Sequence, residues 1–96
     1  STSPRFETGL SVLEAELRAE QALALGRLGR DLEASLLALS DSDAHSGSRE
    51  TLVKAAAGAV WRYFVQREVC GLFEHEQAIT YYAIPPEVLA RVGAAD

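Results

Sequence analysis

Glu74-His75-Glu76 stands about one helical turn after Cys70, and together they are this chain's nearest approach to a metal centre. Zinc and related ions want three or four N, S or O ligands that converge. Adjacent residues on a helix diverge, and no second cluster stands at ligand spacing elsewhere in the chain. The plainer reading is the solvated start of a helix, so we expect no metal and no other cofactor. Cys70 beside His75 could instead form a thiolate–imidazole nucleophile. A lone cysteine at a helix end is more often a small apolar packing residue. There is no nucleophile elbow, phosphate-binding glycine loop or paired-carboxylate arrangement, and we read the chain as not an enzyme.

Arg67 is the polar residue that most needs an explanation. It falls one turn after Tyr63 and Phe64, in the middle of an apolar helix face. A guanidinium there requires an acidic partner or a set of carbonyls. We expect a buried or interfacial ion pair, with Glu14, Glu33, Glu74 or another subunit's Glu68 as the acid. Recognition of an anionic ligand is the alternative. Trp61 and Tyr82 could join Arg67 in lining a small-molecule pocket, although core packing accounts for the aromatic residues more simply.

Ninety-six residues at net charge −5, 48% hydrophobic and 24% charged, describe one soluble globular domain spanning 1–96. The acidic balance argues against a general electrostatic grip on nucleic acid or on anionic membrane. A single cysteine excludes an internal disulfide and suits a reducing cytoplasm. No apolar run approaches the length of a membrane span.

Leu and Ala dominate, which favours helix. Leu10, Leu13, Leu17, Leu25, Leu28, Leu32, Leu36 and Leu39 recur near the helical period, with Gln21 in the one gap. Roughly 130° around the same cylinder runs a seam of small residues: Ala15, Ala19, Ala22, Gly26 and Gly29. Glycine inside a helix costs about 1 kcal/mol against alanine, so the seam points to close approach of another backbone. We expect these five residues to form an interface between copies. Ser11 with Glu14 has the spacing of a capping box, which places the helix at 11–39 after a flexible N-terminus, 1–8. Such a helix would be ~43 Å long. It would outreach a globule roughly 30–35 Å across unless it kinks at the glycines or has a partner subunit, and we favour the partner.

Residues 40–48 are a polar linker. Ser48 caps a second helix whose apolar face is Val53, Ala56, Ala57, Val60, Tyr63 and Phe64, ending near Cys70 with Gly71 as its stop. Residues 75–82 admit a short helix and 79–84 a strand, and helix is preferred because no pairing strand exists. Pro86 to Val92 make a last helix, with Gly93 beyond it. The fold class is therefore all-α: two long antiparallel helices plus short C-terminal helices, a helical bundle completed by oligomerisation.

The segments 66–72 and 82–93, and to a lesser degree 9–32, resemble a family of short bacterial helical proteins of unknown function. The resemblance implies a small stand-alone bacterial protein and brings no catalytic residues. Function is thus unknown from sequence. The leading expectation is a structural or protein-interaction module, a homodimer or higher homo-oligomer with a possible further protein partner. The alternatives are a small-molecule-binding regulator or, behind it, a DNA-linked regulator.

Overall fold

The computed structural model describes residues 4–42 and 48–94, with side chains from Thr8 onward. Its four helices are α1 (Pro4–Ser40), α2 (Arg49–Val69), α3 (Glu76–Tyr82) and α4 (Pro86–Leu89), with no strand among the described residues. The all-α expectation holds, and 76–82 is helix. Among the expected linker residues, Ser42 closes the end of α1 by donating from its Oγ to the Leu39 carbonyl at 2.7 Å. Residues 43–47 lie outside the described set.

α1 starts earlier than its capping signature suggested. Proline at a first helical position needs no N–H partner and already has helical φ, so Pro4 initiates well. Ser11 then lies inside the helix, and the expected Ser11/Glu14 cap is not used. At 37 residues, α1 is about 55 Å long. It runs through Gly26 and Gly29 as one uninterrupted helix, and the molecule measures 66 × 25 × 19 Å. Its 17.9 Å radius of gyration is well above the roughly 12–13 Å of a compact chain this long.

α2 packs antiparallel to the C-terminal half of α1. At one end Gln66 Nε2 donates to the Gln21 carbonyl at 3.0 Å, and at the other Arg49 approaches Ser42. Leu32 and Leu39 of α1 are buried against Val53, Ala56, Ala57, Val60 and Tyr63 of α2. The alanines let the two backbones approach. Leu32, Val60 and Val88 are completely buried, each contributing roughly 1.5–3 kcal/mol. Ser48 occupies the α2 N-cap without a side-chain capping bond. The helix stops in a Schellman turn: Gly71 at φ 84° donates to the Glu68 carbonyl, and Leu72 to that of Arg67.

The C-terminal segment folds back over this pair. Ile84 and Val88 are buried, and Leu89 and Val92 pack beside them. α4 is shorter than the expected 86–92 helix, ending at Leu89 before turns lead to Gly93 at φ 73°. Two charged side chains of this segment, one within α4 and one after it, reach α2. Glu87 meets Arg49, and Arg91 meets Glu50.

Tyr82 of α3 comes down on Gly29. A Cβ at that position would lie 2.6 Å from the Tyr82 hydroxyl oxygen and 3.3 Å from Tyr63 Cε1. At Gly26 the same Cβ would meet only Arg30, at 3.5 Å. The two glycines should respond oppositely to alanine. Gly26→Ala is expected to raise stability by about 1 kcal/mol through helix propensity. Gly29→Ala should lower it by about 1–2 kcal/mol through overpacking, with part of the loss recovered when Tyr82→Phe removes the hydroxyl. Denaturant midpoints of the single and double variants check this. Ala83 ends α3 in the left-handed region, at φ 52°, a conformation that costs an L-residue roughly 1–2 kcal/mol. Ala83→Gly should accordingly raise the thermal midpoint, and an unchanged or lower value would show that the backbone relaxes elsewhere.

Candidate functional site

The cover that α2 gives α1 ends at Gln21, whose carbonyl receives Gln66 Nε2 and, at 3.7 Å, Cys70 Sγ. Every residue from Thr8 to Glu20 is exposed. This arm is a helix of thirteen described residues, about 20 Å long, and it carries the first part of the leucine stripe. Leu10, Leu13 and Leu17 are 44%, 62% and 56% exposed, whereas Leu25, Leu28, Leu32, Leu36 and Leu39 of the same stripe pack on the core. Apolar exposure continues at Val65 and Val69 in the last turns of α2 and past its end at Leu72 and Phe73. A groove of about 540 Å³ joins the two regions, with Leu17, Leu23 and Ala24 on one wall and Gln66 and Val69 on the other.

The small-residue seam divides. Ala15, Ala19, Ala22 and Gly26 lie exposed on α1, while Gly29 is buried under Tyr82 of its own chain. The close approach that Gly29 permits is thus met within the chain.

Arg67 is half-buried and pairs with no carboxylate among the described residues. Its Nη2 donates to the Glu74 carbonyl at 2.8 Å and its Nε to His75 Nδ1 at 3.2 Å. Of the three acids named within the chain, Glu74 meets it, through its backbone carbonyl. The imidazole continues the chain to Glu68 Oε2 at 2.9 Å and stacks on Phe64, with centroids 4.2 Å apart and planes at 4°. This set braces the 70–75 connector against α2. The sequence signal for it was the Glu68…His75 interval, which acquires meaning only once the Schellman turn reverses the chain.

The three residues named for a ligand pocket border two different grooves. Arg67 and Tyr82 border one shallow groove, and Trp61 borders another beside Lys54, Arg62 and Gly93. Tyr82 is poorly suited to proton transfer. Burial first, then its hydrogen bond with Tyr63 and the nearby Tyr63, Tyr81 and Glu33 charges, push its phenol up to about 12. Cys70 is half-buried with its sulfur toward the Gln21 carbonyl. Among the described residues no three His, Cys, Asp or Glu side chains converge as a metal site would require, and no helix there is long and apolar enough to cross a membrane.

The chain belongs to the family of unknown function DUF6665, which it matches over residues 2–96. No curated protein and no solved structure matches it.

Arg67→Ala should cost about 1–2 kcal/mol, the loss of two half-buried hydrogen bonds, and not the 3–5 kcal/mol of an abandoned buried ion partner. Arg67→Lys should fare little better, because a single ammonium cannot span the Glu74 carbonyl and His75 together. Urea titration of both variants checks the expectation, and lysine at wild-type stability would count against the fork geometry.

Proposed function

We propose that this member of DUF6665 is a non-enzymatic protein-interaction module that assembles with copies of itself through the α1 arm. The observation that carries the reading is the uncovered stretch Thr8–Glu20. Its leucines continue a stripe that is packed wherever α2 reaches it. Exposed apolar surface of this extent on a small protein marks an interaction site. What fits there is a helix lying end to end with α2, on the same side of α1. The arm of a second copy is such a helix. Two arms running antiparallel would set Leu10 opposite Leu17 and close both gaps at once. The exposed Ala15, Ala19, Ala22 and Gly26 leave a second side of α1 open to close helix packing. The single cysteine supports a reducing cytoplasm, and the resemblance of residues 66–72 and 82–93 supports a bacterial setting.

A ligand-binding reading has one observation in its favour. A groove of about 650 Å³ opens between the end of α1 and the α3–α4 turn, lined by Leu36, Leu37, Leu39, Tyr82 and Pro85. Its size is that of small-molecule sites. A compound that occupies it in the native state would raise the melting temperature.

Multi-angle light scattering should report a dimer or larger species at about micromolar concentration. The double variant Leu13→Glu/Leu17→Glu should be monomeric with its thermal transition retained, because neither leucine is in the core. A wild-type protein that stays monomeric at every concentration reached would sink the assembly reading and leave the ligand groove as the better one.

A further inference from the structure

We propose that His75 is a proton-operated latch: uptake of one proton at Nδ1 breaks its bond from Arg67 and leaves the guanidinium tied to the connector between α2 and α3 by the Glu74 carbonyl alone. The argument is one of donors and acceptors. Arg67 Nε can only donate, so in the structure His75 Nδ1 must accept and carries no hydrogen. The ring hydrogen then sits on Nε2, where it donates to Glu68 Oε2. Every polar atom of the imidazole is committed, and Phe64 covers one ring face.

Acidification from about pH 8 to about pH 5 crosses the span in which imidazoles charge. A proton arriving at Nδ1 puts two N–H groups, each on a cation, face to face at a contact of 3.2 Å. The Arg67 Nε–H bond must then break. The opposite side of the ring gains, since the Nε2–H bond to Glu68 becomes an ion pair. The latch therefore passes from a relay of three residues to a pair, His75 with Glu68, and the guanidinium keeps one of its two ties to the connector, at the Glu74 carbonyl. The groups around the ring are Arg67 and Glu68 from α2, Glu74 in the connector with its carbonyl on Arg67, and Glu76 at the start of α3. Glu74 and Glu76 have exposed side chains. The segment being held includes Leu72 and Phe73, 44% and 72% exposed, so the proton controls how firmly two apolar side chains are presented.

Nitrogen-edited NMR of the intact chain reads both partners. Near neutral pH, His75 should show the Nε2–H tautomer, and the Arg67 Nε–H resonance should be protected from exchange. As the pH falls, that protected signal should be lost with the midpoint of the His75 ring titration. His75→Gln offers an acceptor and a donor that do not titrate, so its Arg67 signal should persist across the range. Should that variant fail to fold, Glu68→Gln keeps the imidazole, and the linked loss should still be seen. An Arg67 signal indifferent to His75 titration would overturn the proposal, as would an Nδ1–H tautomer at neutral pH or the same loss in His75→Gln.

Discussion

A helix of 37 residues lies against one of 21, and the difference in length governs the rest of this molecule. Packing of α2 on α1 supplies the core, with Leu32 and Val60 at its centre. Where α2 stops, the core stops, although α1 continues with leucines on the same side. Gly71 sets that end. By adopting a left-handed φ it turns the chain away at a point where α1 still has five turns to run. Core and exposed arm are thus two lengths of one stripe, separated by the position of a helix stop.

The returning segment works as a clamp. α3 and α4 are too short to stand alone, and their order comes from what they touch. Tyr82 fits over Gly29 and meets Tyr63 edge-on, with centroids 5.3 Å apart. Val88 is buried, and it lies in the chain between Glu87, paired with Arg49, and Arg91, paired with Glu50. These ion pairs are partly exposed and add modestly to stability. Their sign pattern matters more: a basic then an acidic residue on α2 face an acidic then a basic residue on the returning segment, which favours one register of docking.

Much of this was legible in the residues, and the rest depended on contacts between distant parts of the chain. The leucine period predicts α1, and Gly71 serves as the stop of α2, whereas the last helix ends at Leu89, well before Gly93. Gly29 shares a regular spacing with Ala15, Ala19, Ala22 and Gly26, yet Tyr82, far along the chain, separates it from them. The i, i+4 pattern of Glu87 and Arg91 reads as support within one helix, but α4 unwinds after Leu89 and each residue finds an α2 partner. Arg67 shows the same limit. Its position in an apolar face predicts a need for partners, and the Glu74 carbonyl and His75 meet it only because of a turn that local pattern does not place in space. For the uncovered arm, the period reveals the stripe, while its exposure follows from where α2 ends.

That arm also has a thermodynamic consequence of its own. Isolated helices of this length are marginal in water, because nucleation and ordering are barely offset by hydrogen bonds. In a single copy, Thr8–Glu20 is held helical by continuity with the packed turns beyond Gln21. Its free end is the place where helix–coil opening costs least. Association would supply the missing tertiary contacts and so deepen the helical well of the same residues. The secondary-structure content of this protein would then be a function of its concentration, with folding of the arm and assembly forming one linked equilibrium.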